Sequence, residues 1–316
     1  MTALNGTIQG LGGGKVYPPK WKEIGYTDTP SEILSAFDYA KAIQTNWVTG
    51  TKFTSDKNLF FFPAVDISEY IGLNGMFKDS NLMHVEELTV GQTTPTGNVN
   101  CQEMFKNALV GEVKIKGKNS SQKLSVTNMF NGCKTLKSVT INDAVIIDTS
   151  NMFVGCSSLE EFKGDVDTSQ STNFSTAFED CSSLKTTPTI DMSSATNMYR
   201  CFHNCLSLET STLSDLSSAT NLQQLFWNCS SLKNVQNMYL DSATNLTNMF
   251  QGTGSSLTPD SRDQILYSLA HHATAYTGTK TLVQLGFSSS MYPASSWDSL
   301  LYYSDFINAG WSIGYS

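Results

Sequence analysis

The stretch Asn128-Met129-Phe130-Asn131-Gly132-Cys133, followed by Leu136, is one copy of a phrase that returns through the middle of the chain. Successive copies lie 23 to 28 residues apart. A repeat of this length is typical of a solenoid, in which each coil packs only against its neighbours. The sequence therefore predicts an α/β solenoid of about eight coils. The repeated phenylalanines are Phe77, Phe105, Phe130, Phe153, Phe178, Phe202, Phe226 and Phe250.

The columns of the repeat predict the core. Five copies carry Cys three residues after Phe and Leu six residues after it. We interpret Met-Phe-x-x-Cys as a single helical turn on the outer side, with Phe and Cys on one face. Segments that begin at the Leu, such as 136–141, are predicted to be strands that stack into a parallel sheet. The predicted core residues are Phe130, Cys133, Phe153, Cys156, Phe178, Cys181, Phe202, Cys205, Phe226 and Cys229.

Two polar columns accompany the apolar ones. An Asn column five residues before the Phe is expected to bond to backbone groups of the next turn. An Asp column eleven residues before the Phe is expected to turn the chain, because Asp and Ser side chains bond to nearby amides. A cation-binding ladder is the alternative, although calcium requires six to eight oxygen ligands. The columns are Asn173, Asn197, Asn221 and Asn245, and Asp66, Asp167, Asp191 and Asp215.

The seven cysteines invite two other interpretations. Thiols stacked one coil apart suggest disulfides, but an inward column is more simply a ladder of small buried side chains. Reduced thiols fit folding in a cytosol. Cys201, His203 and Cys205 have metal-ligand chemistry, yet tetrahedral zinc needs four ligands, so packing is favoured and no metal or cofactor is predicted.

The two ends differ from the repeat. Residues 1–57 are predicted to be an arm and a capping helix over about 30–46, introduced by Thr29 and Pro30. Residues 58–257 form the solenoid, and residues 258–316 an α/β cap. Within that cap we expect a helix from Pro259 to about His272, a strand over 281–286, and a second helix from Ser295 to near Gly310.

Composition limits the function. The net charge of −8 and the pI near 5.0 argue against nucleic-acid binding. Neither a signal peptide nor a run of 18 apolar residues is evident, so we expect no membrane span. No hydrolase or phosphate-loop motif occurs, so the chain is predicted not to be an enzyme.

A binding surface, if there is one, should be the sheet face. Its outward side chains are small and polar, and suit hydrogen bonds to a sugar or a partner protein. Simple solvation is the alternative. The candidate residues are Ser138, Thr140, Glu161, Lys163, Thr186, Thr210, Asn234 and Gln236.

The phrases over 148–159 and 219–232 resemble BspA-type, mycoplasma-lipoprotein-type leucine-rich repeats. The two ends are similar to structural proteins of tailed phages of gut Bacteroidales. The resemblance implies a non-enzymatic head- or tail-fibre-type virion protein, made in the host cytoplasm. Its arm would dock to other virion proteins, and it would attach to a host-surface glycan or protein. A bacterial cell-surface adhesin is the alternative, and the sequence leaves open whether the chain forms a homo-oligomer.

Overall fold

A stack of aromatic rings runs through the computed structural model, which describes residues 61–62, 65–66, 72–85, 87–91 and 97–314. The eight repeat phenylalanines, from Phe77 to Phe250, stack one on the next with ring centroids 5.1 to 5.9 Å apart. Phe287 of the C-terminal cap continues the stack 5.3 Å beyond Phe250. All ten predicted core residues are buried. The chain is thus a solenoid with one continuous core.

Parallel strands form the walls of the coils. One sheet has the order β10-β8-β6-β4-β2 and a second has the order β11-β9-β7-β5, while β1 pairs with β3 and β12 with β13. Every pairing is parallel. The strands are β1 (Phe61–Phe62), β2 (Val65–Asp66), β3 (His84–Val85), β4 (Leu88–Val90), β5 (Val99–Asn100), β6 (Glu112–Gly117), β7 (Lys123–Ser125), β8 (Ser138–Asn142), β9 (Ala144–Asp148), β10 (Glu161–Lys163), β11 (Val166–Asp167), β12 (Thr210–Ser211) and β13 (Asn234–Val235).

The predicted sheet is confirmed. In β8, Val139 and Ile141 are buried, while Ser138, Thr140 and Asn142 are half-buried. Side chains alternate across a strand, so one face enters the core and the other faces outward. The second sheet was not predicted.

The Met-Phe-x-x-Cys stretch is not a helical turn, so that prediction is wrong. It is a run of tight turns in which Asn128 and Gly132 have positive φ values of 56° and 78°. Alternate amides bond within the coil and to the next coil: Cys133 N–H donates to the Phe130 carbonyl, and Phe130 N–H donates to the Met152 carbonyl. Residues with positive φ recur at the same two positions in later coils, and most of them are Asn or Gly, which tolerate the left-handed region.

Three members of the Asn column form a ladder, but through other partners than predicted, and Asn245 Nδ2 donates to Gln223 Oε1 instead. Asn197 Nδ2 donates to Asn173 Oδ1 over 3.3 Å, and Asn221 Nδ2 donates to Asn197 Oδ1 over 3.2 Å. Each Oδ1 also accepts the amide two residues later in its own coil, as Asn221 does from Gln223. The ladder therefore bonds side chain to side chain between coils.

The C-terminal cap is part helix and part turn. Helix α1 (Pro259–His271) begins at the predicted residue, and Thr258 caps it with an Oγ1 that accepts from Ser261 N. The predicted strand over 281–286 is wrong: this segment is a turn that bonds to the last coil, where Phe250 N–H donates to the Leu285 carbonyl. Only Thr281 makes a β-bridge there.

The predicted second helix of the cap is two short helices, α2 (Ser295–Asp298) and α3 (Tyr303–Asn308). Buried Trp297 and Phe306 anchor them. The solenoid has about six turns, against the eight predicted. The predicted arm and capping helix in 1–57 and the side chain of Asp66 lie outside the described residues.

Candidate functional site: the sheet face and its notch

Seven of the eight predicted binding residues lie in two registered rows on the outer face of the sheets. Strand pairing sets Ser138 beside Glu161 and Thr140 beside Lys163. Thr186 bridges Thr210, which pairs with Asn234. Gln236, just after β13, is exposed, and no pairing is described for it. The structure thus brings most of the predicted set onto one surface.

The pairings across β8 and β10 extend one strand further than predicted, onto β6. Glu112 and Lys114 of β6 pair with Ser138 and Thr140. Both side chains are exposed. They were missed because this coil is spaced irregularly, although the alternation of β6 itself is a signal for them.

The ladder of strands breaks between β10 and Thr186. At neighbouring junctions the amide that begins each strand bonds to the previous coil: Glu161 to the Lys137 carbonyl, Thr210 to the Lys185 carbonyl, and Asn234 to the Glu209 carbonyl. No backbone hydrogen bond joins 160–164 to 184–189.

Pro188 accounts for the break. It occupies the column of Thr140, Lys163 and Thr212, ten residues after the repeat phenylalanine. The register of β8 and β10 has Thr140 and Lys163 donate their N–H to the previous strand, and Thr212 N–H donates to the Thr187 hydroxyl of the previous coil. Proline has no N–H to donate. The first sheet therefore ends at β10, and pairing resumes only at Thr186 and Thr210.

A notch of about 450 Å³ opens at the break. Parallel pairing uses alternate residues of a strand for each neighbour. Glu161 N–H bonds to the Lys137 carbonyl and Thr187 N–H to the Thr210 carbonyl, both on the sides away from the notch. Since neighbouring amides of a strand point in opposite directions, those of Phe162 and Thr186 point into the notch. The residues around the notch are Glu160, Glu161, Phe162, Lys163, Ser183, Leu184, Lys185, Thr186, Thr187, Pro188 and Thr189.

The charges at the notch balance. Glu160, Glu161, Lys163 and Lys185 provide two negative and two positive groups. Lys163 Nζ lies 2.7 Å from Glu161 Oε2 within the same strand. Both partners are about half-exposed, so the pair contributes little to stability but sets donors and acceptors side by side.

The Asp column forms turns. The Oδ1 atoms of Asp167, Asp191 and Asp215 accept the amides of Ser169, Ser193 and Ser217 over 2.8, 2.9 and 3.2 Å. The hydrogen bonds from the Ser169 hydroxyl and amide lower the pKa of Asp167. Among the residues that the structure describes, no three His, Cys, Asp or Glu side chains are grouped to hold a metal ion.

The Cys201–His203–Cys205 cluster is divided between the core and the surface. Both thiols are buried, and burial raises the pKa of each. His203 is partly buried, with Nδ1 3.4 Å from Glu179 Oε1 and its ring beside Trp227. Burial lowers the pKa of His203 and raises that of Glu179. Sequence columns did not single out this His–Glu–Trp cluster, because its members occupy a surface position of three successive coils.

Three overlapping segments of the chain, 63–144, 126–215 and 147–260, match the family described as "Mycoplasma protein of unknown function, DUF285". Together they cover more than half of the chain. The chain belongs to the DUF285 family. This agrees with the predicted mycoplasma-lipoprotein-type repeat. No curated protein and no solved structure matches the chain significantly.

The DUF285 segments contain the whole notch and both rows of the sheet face. The C-terminal cap beyond residue 260 lies outside them. Among the described residues of this DUF285 chain, no helix is both long and apolar enough to cross a membrane.

Proposed function

We propose that this DUF285 chain is a non-enzymatic attachment protein that uses its sheet face to hold a surface ligand. The observation that carries the proposal is the pair of registered rows, where Thr, Ser, Asn, Glu and Lys side chains repeat at strand spacing. Rigid, closely spaced polar groups bind a ligand with little loss of side-chain entropy.

The setting that we propose is a phage virion, with the protein as a head- or tail-fibre-type appendage. Residues 1–57 would dock it to other virion proteins, and the solenoid would face the host. The resemblance of the two ends to phage structural proteins supports this setting. The test is mass spectrometry of purified particles, with immunogold labelling of an epitope in the C-terminal cap. Particles that lack the chain would contradict a virion role.

A bacterial cell-surface adhesin is the second candidate, and the DUF285 match favours it because that family is described from Mycoplasma. Protease treatment of intact bacteria distinguishes the two. Release of solenoid peptides from cells in the absence of phage particles supports the adhesin. Recovery of the chain only with particles supports the virion protein.

Attachment itself is tested with the purified chain. Soluble protein is added to host cells before phage, or before labelled bacteria in the case of the adhesin. The expected result is saturable binding and a dose-dependent fall in attachment. Attachment that is unchanged at saturating protein would contradict the proposal.

A further inference from the structure

We propose that the notch at Pro188 binds a neutral pyranose unit of a glycan, an inference that rests on the proposed attachment function. The notch is a defined interruption of the sheet, lined by two unpaired strand edges and by balanced charges. Its volume of about 450 Å³ falls in the range of about 300–1,000 Å³ typical of small-molecule sites.

The unpaired backbone groups set the chemistry of the ligand. The repeat pattern directs the amides of Phe162 and Thr186 and the carbonyls of Glu160, Phe162 and Thr186 into the notch. Buried or half-buried strand groups without partners cost free energy, so they favour a ligand that both donates and accepts. Sugar hydroxyls do both, and they are spaced closely enough to meet neighbouring backbone groups.

An inserted peptide strand does not fit. A strand placed between β10 and Thr186 would require about two strand spacings, roughly 9.6 Å. The core beneath stays at single-coil spacing, because the Phe153 and Phe178 rings stack at 5.2 Å and Phe162 lies 6.4 Å from Phe178. The notch is therefore open only at its outer rim, where a compact ring can sit.

The side chains favour a neutral sugar over an acidic or basic one. Glu160 and Glu161 are matched by Lys163 and Lys185, so no net charge attracts a charged ligand. Carboxylates accept hydroxyl hydrogens and ammonium groups donate to ring or hydroxyl oxygens, and these charge-assisted bonds are stronger than neutral ones.

Pro188→Thr is the deciding variant, since it restores the residue found in this column at Thr140 and Thr212. The new N–H should re-form the ladder, raise the melting temperature by about 2–4 °C and close the notch. Pro293→Thr, the same substitution at an exposed proline of the cap, is the control for the loss of a proline away from the notch. The double change Glu161→Gln with Lys163→Met is a second variant, which removes charges at exposed positions without altering the backbone.

Binding is measured by saturation-transfer NMR and titration calorimetry with the methyl glycosides of glucose, galactose and mannose. We expect at least one glycoside to bind the natural chain and Pro293→Thr equally. Binding should fall at least tenfold in Pro188→Thr and at least threefold in the double variant. Binding that persists in Pro188→Thr, or no binding of any of the three, overturns the inference.

Host-cell binding by the same proteins separates this inference from the proposed function. If Pro188→Thr binds cells as well as the natural chain, the notch is not the site but attachment stands. If the natural chain does not bind cells, the attachment function itself fails.

Discussion

The thiol of Cys156 donates a hydrogen bond to the carbonyl oxygen of Phe130, one coil earlier, over 3.0 Å. The same contact is made at five successive coils, with distances of 2.9 to 3.3 Å. The cysteine column is therefore more than small apolar filler, because each thiol also gives the previous phenylalanine carbonyl a second donor beside the amide of its own coil.

At the two outer coils of the stack, a hydroxyl of the same coil bonds to the phenylalanine carbonyl. Ala108 follows the coil of Phe77, and there Ser80 Oγ donates to the Phe77 carbonyl over 2.7 Å. At the other end, Thr253 Oγ1 donates to the Phe250 carbonyl over 2.9 Å. The column that holds cysteine in five coils holds Ser80 and Thr253 in the outermost ones, where a hydroxyl is the side-chain donor to a phenylalanine carbonyl.

Replacing Cys156 tests this role. Cys156→Ala removes the donor and leaves a small cavity, and should lower the free energy of unfolding by about 1–3 kcal/mol. Cys156→Ser keeps a donor and should lose less. Urea unfolding of both variants measures the difference. A serine variant no more stable than the alanine variant would show that packing alone accounts for the cysteine column.

The buried thiols also predict how stability depends on pH. Burial raises the pKa of Cys101 and Cys133 to about 12, from an unfolded value near 9. Above pH 9 the unfolded chain ionises these thiols while the folded chain does not, so their contribution is complete below pH 9 and is lost as pH rises toward 12. We expect a fall of about 1.4 kcal/mol per pH unit for each such thiol.

Unfolding in urea at several pH values between 8 and 11 measures that fall, with the variant Cys101→Ala expected to reduce the slope. The thiols should also resist alkylation in the native chain and react once it is unfolded. Rapid alkylation at pH 8 without unfolding would contradict their burial.

Thr176 is a β-branched residue in the left-handed region, with φ of 53°. Asn128 and Asn151 occupy the same column with φ of 56° each. Because β-branched side chains are poorly accommodated there, Thr176→Asn should stabilise the chain by about 0.5–1 kcal/mol. Thermal unfolding measures the change. A less stable variant would mean that the 2.6 Å bond from Thr176 Oγ1 to Asn151 Oδ1 outweighs the backbone strain.

The Asn ladder predicts a cost for interrupting it. Asn221→Ala removes the 3.2 Å bond to Asn197 and leaves the Gln223 amide without its acceptor. We expect a loss of about 1–3 kcal/mol. Thr220→Ala, at the exposed neighbouring position, should cost less than half as much. Equal losses in a denaturant titration would argue against a special role for the ladder.

The sequence predicted those features that repeat in every coil. The phenylalanine column and the Leu136 strand were evident because their periods are unambiguous. The turn was misread as helical because Phe130 and Cys133 are three residues apart in either case. Asn128 and Gly132 were the discriminating signal, since both residue types favour positive φ.

Other features depend on a single departure from the repeat. The second sheet includes β9 (Ala144–Asp148), a largely apolar run that follows β8 after only one residue. The notch follows from Pro188 in a column otherwise filled by Thr140, Lys163, Thr212 and Gln236, and proline in a strand column is a readable sign of a break. The sequence does not show that the Phe153 and Phe178 rings stay stacked beneath that break.

The most direct test of the account is the binding of two charge-matched variants to host cells. One carries Thr186→Glu, Asn234→Glu and Gln236→Glu on the sheet face. The other carries Thr196→Glu, Thr220→Glu and Thr244→Glu in the exposed column beside the Asn ladder. Both add three negative charges, so any general electrostatic repulsion is the same. We expect the sheet-face variant to lose at least tenfold in cell binding while the other binds like the natural chain. Equal binding by both would contradict attachment through the sheet face.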